Sequence, residues 1–508
     1  MSNPFLPSIS TILHSDSIQW KDENHLFSIT DSIMQFLMDE TKVLTELLHE
    51  WIKLSALLTR QPVTEGYLSQ WWWVNSLVSA GVNSTLNTAD DNECNEDSFT
   101  STAEINLKEQ PTKEHMRILF LTWEFPPHIV GGLSRHVHGL TKHLAEKGHE
   151  IHVITAGAES LPVMEQMDGV FIHRVKPLRA NEKDFLLWIA GLNIAIAEKA
   201  AALTADKSFD CVHSHDWLVG AAAISLKKNL HLPLVTTIHA TEYGRNSGIY
   251  TELQRFIHNK EKQLVDQSDQ VVICSDFMKA EVQKLFKAVD EKLVTIPNGI
   301  DCDSSADDKN MDYLADIQIE SDRKMIFSIG RMVKEKGYDT LIEAAAVLKR
   351  KGINVSFIIA GKGPMLEVYR SKVSEMQLSD TVYFIGFIDD KKRNALLELS
   401  EMAVFPSLYE PFGIVALEAM QAGKPTLVSN TGGLKGIVQH LETGVLIEPA
   451  NSVNIADQII YLLENPDLAK KIGINGKRAV QSRFSWKAAA EETLLVYNKT
   501  LHTRKHHQ

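Results

Sequence analysis

From Met116 onward, short apolar and β-branched runs alternate with amphipathic stretches. RILFLTWEF opens with such a run, and a Gly-Gly turn follows it. Between Leu133 and Lys147 the apolar positions Val137, Leu140 and Leu144 recur at spacings of three and four, which predicts a helix. Gly148 then turns the chain into a second run, IHVITAG. The alternation continues through FDCVHSHDW, LPLVTTIHA and DQVVICS, and VTIPNGIDC closes the first half. A polar, acidic stretch from Ser304 to Ser321 separates it from a second cycle. There MIFSIGR, VSFIIAGKG, VYFIGF, MAVFPS and PTLVSN read as strands, with helices such as Tyr338 to Lys351 between them. Continuous apolar strands joined by amphipathic helices imply parallel sheets covered on both faces. The predicted class is α/β, with two doubly wound domains of roughly 185 and 160 residues, a size ordinary for domains.

The N-terminal pattern is different. Leu44, Leu47, Trp51, Leu54 and Leu58 alternate spacings of three and four, so they share one helix face. Leu68, Trp71, Trp72, Trp73, Val74 and Leu77 supply a second candidate helix. The Trp triplet reads either as the core of a two-helix unit or as an aromatic surface for a partner or a carbohydrate. From Asn83 to Gln110 the chain is rich in Asn, Ser, Thr and acids, which predicts a flexible tether. The expected organisation is a helical extension over 1–82, an acidic linker over 83–114, a first Rossmann-like domain over 115–303 and an interdomain linker over 304–321. A second Rossmann-like domain over 322–483 and a C-terminal segment over 484–508 complete it. A hinge is expected between Asn298 and Asp322.

Composition narrows the function. The 508 residues carry a formal charge of −13, and residues 1–115 hold 6 Lys+Arg against 17 Asp+Glu, so the two domains together are nearly neutral. That excludes a nucleic-acid stripe or a polybasic membrane anchor as the default reading. No apolar run approaches the roughly 18–20 residues of a membrane span, and no basic-then-apolar leader opens the chain. Cys94, Cys211, Cys274 and Cys302 lie far apart without CxxC or metal-ligand spacing, which fits a reducing compartment, and a cytoplasmic protein is expected.

The polar signatures fall just after strands, at the carboxyl edge where open α/β sheets bind ligands. Gly131 and Gly132 precede a helix, so backbone there can approach a phosphate or a sugar. No GxGxxG follows the first strand, which weakens a nicotinamide or flavin reading. His213-Ser214-His215-Asp216-Trp217 and His239 end two strands and converge on a sugar-sized space. Arg331 and Lys336, five apart before Gly337, suit a diphosphate, with roughly 1.5–3 kcal/mol per charge-assisted hydrogen bond. In EPFGIVALE, Pro411 and Gly413 lead into a helix whose Gly413 and Ile414 amides stay unpaired. Glu410 faces the ligand from the loop, and Glu418 returns to the same helix face about two turns later. Thr431-Gly432-Gly433 adds another close-approach loop.

Together the GGL loop, HDW, the His of TTIHATEYGR, R-x4-K-G, AGKGP, E-x7-E and TGGL resemble the retaining glycosyltransferases of the GT-B fold, especially glycogen and starch synthase-like members. The likeness runs from about Met116 to the C-terminus. SWKAAAEETLLVYNKTL is similar to the family's final helix, which crosses back onto the first domain. The resemblance implies transfer of a hexose from a nucleoside diphosphate sugar, a co-substrate, with retention of configuration, no cofactor and no required metal. In that scheme Arg331 and Lys336 stabilise the departing diphosphate, helped by Gly131 and Gly132. Glu410 holds the sugar hydroxyls, Glu418 the ribose hydroxyls, and His239 contacts the sugar near its reacting carbon. Gly361 and Gly363 shape the nucleotide loop, while Asp216 and its neighbours His215 and Trp217 line the acceptor side.

The expected partners are ADP- or UDP-glucose and an α-glucan or oligosaccharide. Bacterial glycogen synthases using ADP-glucose carry a Lys where Ile129 stands, so the base stays open. Lipid, small-sugar or cell-wall acceptors are the alternative, and a catalytically dead carbohydrate-binding scaffold the remote one. The scheme expects same-face attack by the acceptor rather than a covalent adduct on Glu410.

Overall fold

The computed structural model describes residues 113–505 apart from 159, 179–183 and 302–322. The predicted helical extension, nearly all of the acidic linker, the interdomain linker and most of the hinge lie outside the described residues. Lys113–Gln508 forms one compact unit.

The first lobe is built on eight strands: β1 (Arg117–Leu121), β2 (Glu150–Ala156), β3 (Met164–Met167), β4 (Val170–Val175), β5 (Cys211–His215), β6 (Leu234–Ile238), β7 (Gln270–Ile273) and β8 (Leu293–Thr295). Their order is β3-β4-β2-β1-β5-β6-β7-β8. All pair in parallel except β3, which runs antiparallel to β4 at the edge. The parallel-sheet expectation is corrected there. MEQM buries none of its four residues and sets Glu and Gln between its methionines, so it lacks the continuous apolar run of the other strands, and Asp168-Gly169 turns the chain with both residues at positive φ. The second lobe has six parallel strands: β9 (Lys324–Ile329), β10 (Val355–Ala360), β11 (Val382–Gly386), β12 (Met402–Phe405), β13 (Thr426–Ser429) and β14 (Val445–Ile447). Their order is β11-β10-β9-β12-β13-β14.

Central strands β5, β6 and β10 are buried at every position, as strands covered on both faces must be. Helix α1 (Gly132–Glu146) buries Leu133, Val137, Leu140 and Leu144, the stripe its spacing predicts. Helix α2 (Phe185–Asp206) is capped by Asp184, which accepts the Leu186 and Leu187 amides. By length and hydropathy α2 is apolar enough to cross a membrane, which no single run in the sequence suggests; half of its apolar window is buried within the protein. In the second lobe α3 (Tyr338–Arg350) covers the sheet through Leu341, Ile342, Ala345 and Leu348.

Helix α6 spans Trp486–Lys505 and, although it follows the second lobe in sequence, belongs to the first lobe's core. Trp486, Ala489, Ala490, Val496 and Tyr497 pack with Val137, Leu140 and the β1 side chains. Gly139 makes the approach possible, since a Cβ there would lie 2.2 Å from the Trp486 ring. The Tyr497 hydroxyl lies 2.6 Å from His213 Nδ1, beneath the carboxyl edge of the sheet. Two further helices matter to the site, α4 (Asp390–Leu399) and α5 (Ile414–Gln421).

Candidate active site

The carboxyl edges of the two sheets meet. The Arg331 Cδ lies 3.6 Å from where a Cβ on Gly131 would sit, and Ile414 Cδ1 lies equally close to the Gly132 position. Further along the contact Tyr409 reaches into the first lobe. Its hydroxyl donates to Glu281 Oε1 at 2.8 Å, and Thr241 Oγ1 donates to that same oxygen at 2.6 Å. Ser275 Oγ donates to the Pro411 carbonyl at 2.6 Å. Gly131 and Gly132 of the first lobe therefore face Arg331 and Ile414 of the second across one interlobe cleft.

In the second lobe Lys336 Nζ lies 2.5 Å from Glu410 Oε2, and Ser407 Oγ is 3.4 Å from that oxygen. Arg331 is exposed and makes no ion pair among the described residues. Glu410 is positioned from behind by the predicted Thr431-Gly432-Gly433 loop. The Gly433 amide donates to the Glu410 carbonyl at 2.8 Å, and Thr431 Oγ1 donates to the Leu408 carbonyl at 3.2 Å. Gly432 has φ +55°, and a Cβ there would lie 2.1 Å from the Glu410 carbonyl oxygen. This loop thus shapes the site through the Glu410 backbone. Gly361 and Gly363 follow β10 and pack on the backbone of Gly330 and Met332, bracing the segment that bears Arg331.

Helix α5 begins as its sequence predicts. Gly413 is its N-cap at φ +115°, and among the described residues no acceptor takes up the Gly413 or Ile414 amides. Those donors and the positive end of the helix face the cleft beside Gly132. Glu418, one turn further on, is buried. Its Oε1 accepts from Arg393 at 2.8 Å and from Arg135 of the first lobe at 2.7 Å, while its Oε2 has no partner among the described residues.

On the first-lobe side the Gly-Gly loop differs from the simple expectation. The Glu124 carboxylate accepts the amides of Val130 at 2.5 Å and Gly131 at 3.1 Å, so the protein itself fills part of the α1 N-terminus. Burial raises the Glu124 pKa, and these amides and nearby Arg331 oppose the shift. Gly131 is therefore held by Glu124, leaving the Gly132 side of the turn to approach a ligand.

His215, Asp216 and Trp217 sit where β5 ends. His215 is fully buried, stacked on Phe120, with its Nδ1 3.2 Å from His239 Nε2. Trp217 packs in an apolar cluster with Ile189, Phe256 and Ile257. Asp216 offers the polar edge between them. Its Oδ1 accepts the His239 amide at 2.8 Å, its backbone has φ +59° and ψ 173°, and burial pushes its pKa up to about 6. Backbone held in this region stores strain, which a functional site tolerates. Burial and the Arg245 charge push the His239 imidazole down to about 3, so it is neutral at pH 7. His136, whose Nδ1 lies 2.6 Å from Asn298 Oδ1, completes a cluster with His215 and His239 whose ring nitrogens lie within 4.8 Å of one another. Hydrogen bonds to Asn298 and between His215 and His239 orient these rings.

Residues 130–304 match the family model described as Glycosyltransferase Family 4, and residues 312–479 match Glycosyl transferases group 1. A glycosyltransferase of Methanocaldococcus jannaschii, itself uncharacterised, is 36% identical over 75% of this chain and 98% of that protein. The chain belongs to the GT-B glycosyltransferases. The glycogen synthase of Mycobacterium tuberculosis is 33% identical over 75% of this chain and 94% of its own length. Among solved structures, sucrose-phosphate synthase from Thermosynechococcus elongatus superposes with a TM-score of 0.67 at 25% identity, covering 76% of this chain and all of that one. In this GT-B glycosyltransferase Gly131, Gly132, Arg331 and Ile414 face one another between the lobes, whereas Trp217 packs in an apolar cluster. Sequence reasoning passed over Glu124, Arg135, Arg393 and Tyr409. Glu124 and Arg135 flank the Gly-Gly pair in sequence, and that proximity was the available signal.

Proposed function

We propose that this glycosyltransferase transfers glucose from ADP- or UDP-glucose to the non-reducing end of an α-1,4-glucan, with retention of configuration and without a required metal. The observation that carries the reading is the Lys336–Glu410 pair with Arg331 beside it, opposite the Gly-Gly turn. Two cations, Lys336 held by Glu410 and Arg331 exposed at the cleft, suit the charge that develops on a departing diphosphate. The unpaired amides at the start of α5 add donors for the same phosphates.

Glu410 neutralises Lys336. An arriving diphosphate takes up part of the lysine's hydrogen-bonding capacity and frees Glu410 Oε2 to accept from a sugar hydroxyl. Glu418 Oε2, buried without a partner, suits the ribose hydroxyls. Neutral His239 stands at the sugar without adding positive charge near the reacting carbon. The acceptor oxygen then bonds to that carbon on the face the diphosphate leaves. The carbon–phosphate-oxygen bond breaks with its electron pair on the phosphate, and the acceptor proton passes to that oxygen. With the donor in place Glu410 Oε2 is taken up by a sugar hydroxyl rather than dedicated to attack, which favours this route over a covalent intermediate.

The glycogen synthase relative supports a glucan acceptor. The sucrose-phosphate synthase likeness favours the second reading, a small-sugar acceptor. The unpaired, buried thiols of Cys211 and Cys274 support a cytoplasmic setting. A donor-by-acceptor screen that follows nucleoside diphosphate release tests the proposal, with the product's anomeric configuration read by NMR. Release that requires glycogen or maltooligosaccharide, giving an α linkage, is expected. Release only with a monosaccharide or a lipid overturns the glucan assignment, and an inverted product overturns retention.

A further inference from the structure

The E-x7-E carboxylate Glu418 is not held by its own lobe alone. Arg135, in the first turns of α1 and only three residues beyond Gly132, crosses the cleft to it. Arg135 Nη1 donates to Glu418 Oε1 at 2.7 Å, and its Nη2 donates to Asp390 Oδ1 at 2.7 Å. Arg393 closes the square from α4, donating through Nη1 to Asp390 Oδ1 and to Glu418 Oε1, both at 2.8 Å. The four groups are electrically balanced. Glu418 and Arg393 are nearly enclosed, at 7% and 8% side-chain exposure, whereas Asp390 is 59% exposed.

The geometry divides the Glu418 carboxylate between two tasks. Oε1 is committed to the arginines, and Oε2 is buried without a partner. Arg393 lies in the same lobe as Glu418, so its contact survives any movement of the lobes. The Arg135 contact exists only when the lobes are together. We propose that Arg135 is a positioning residue that couples lobe closure to donor binding, by completing the anchoring of Glu418 from the opposite lobe while the free oxygen receives the nucleotide's ribose. This rests on the donor-site reading given above and adds the device by which that site senses closure.

The physical consequence follows from linkage. If the donor-competent state is the closed one, removing a contact made only there lowers its population and weakens apparent donor affinity by the same factor. Glu418 keeps Arg393, so its charge is not stranded and the second lobe's fold is not threatened. Loss of Arg135 should therefore read as an affinity effect rather than as loss of structure. A purely structural role would lower the melting temperature and leave nucleotide affinity unchanged.

The test uses the full chain with ADP and UDP as probes, titrated calorimetrically, and small-angle scattering with and without saturating nucleotide. Arg135→Ala is expected to keep the wild-type melting temperature within about 2 °C, since the shift per lost contact shrinks as the cooperative unit grows. It is expected to weaken nucleotide binding by roughly 3–30-fold, with a larger rise in donor KM than fall in kcat. Arg135→Lys, which keeps the charge and loses the fork, should fall between. Glu418→Ala removes the acceptor through which Arg135 acts, so adding Arg135→Ala to it should cost much less than in the wild type.

Unchanged nucleotide affinity and unchanged scattering in Arg135→Ala overturn the coupling while leaving the donor site intact. Full additivity of the two substitutions overturns the route through Glu418. A wild-type chain that binds neither nucleotide overturns both this inference and the donor-site reading.

Discussion

Lys336 Nζ stands 2.5 Å from Glu410 Oε2, and the two residues lie 74 positions apart. Each satisfies the other, and each is assigned a different part of the proposed donor. Lys336→Ala and Glu410→Ala are each expected to lower kcat/KM at least about 100-fold, the scale of losing one preorganised charge partner. The double variant should be little worse than the more damaged single one, because the pair acts as a unit. Circular dichroism should show all three folded. Near-normal turnover in either single variant contradicts the roles given to the pair.

Gly432 has no freedom to change. A Cβ on it would lie 2.1 Å from the Glu410 carbonyl oxygen, at a φ of +55° that an L side chain rarely adopts. Gly432→Ala should cost about 1–3 kcal/mol of stability and displace the Glu410 backbone. Activity should then fall by at least tenfold in the fraction that still folds, when the enzyme is normalised by active-site titration. An alanine variant with wild-type kcat/KM would show that Glu410 does not need this brace.

Much of this architecture is legible in the sequence. Val137, Leu140 and Leu144 mark α1, and the apolar runs mark the strands, because burial on both faces imposes that pattern. The chemistry-bearing residues are legible because Pro and Gly punctuate the strand ends that carry them. The long-range pairings are not. Arg135 and Glu418 lie 283 positions apart, and nothing local to either specifies that they meet. Tyr409 looks like an ordinary aromatic until its hydroxyl reaches Glu281. Trp217 is expected to line the acceptor side beside Asp216, and only the structure shows it packed with Phe256 and Ile257 in an apolar cluster. Glu124 was hidden because the Gly-Gly turn reads as an open anion site, whereas the protein supplies its own carboxylate.

Buried neutral histidines give the fold an acid-sensitive limb. His213 lies against the Tyr497 and Thr237 hydroxyls, and burial, reinforced by His136 and His239, holds its pKa well below the usual histidine range. The unfolded chain takes up a proton below pH ~6.5 that the folded chain refuses, so stability falls as pH falls through that value. His213→Gln removes one such group. Between pH 7 and 5.5 the wild type should lose about 1 kcal/mol more unfolding free energy than the variant, measured by urea titration. Equal losses would mean that His213 is protonated in the folded protein.

The central claim is that the two lobes hold a nucleoside diphosphate between them, with Arg331 and Lys336 taking its charge. The most direct measurement is a crystal structure with a bound nucleoside diphosphate. The distal phosphate is expected within hydrogen-bond reach of both cations, with the ribose at Glu418. Phosphates bound elsewhere, with Lys336 still closed on Glu410, would contradict it.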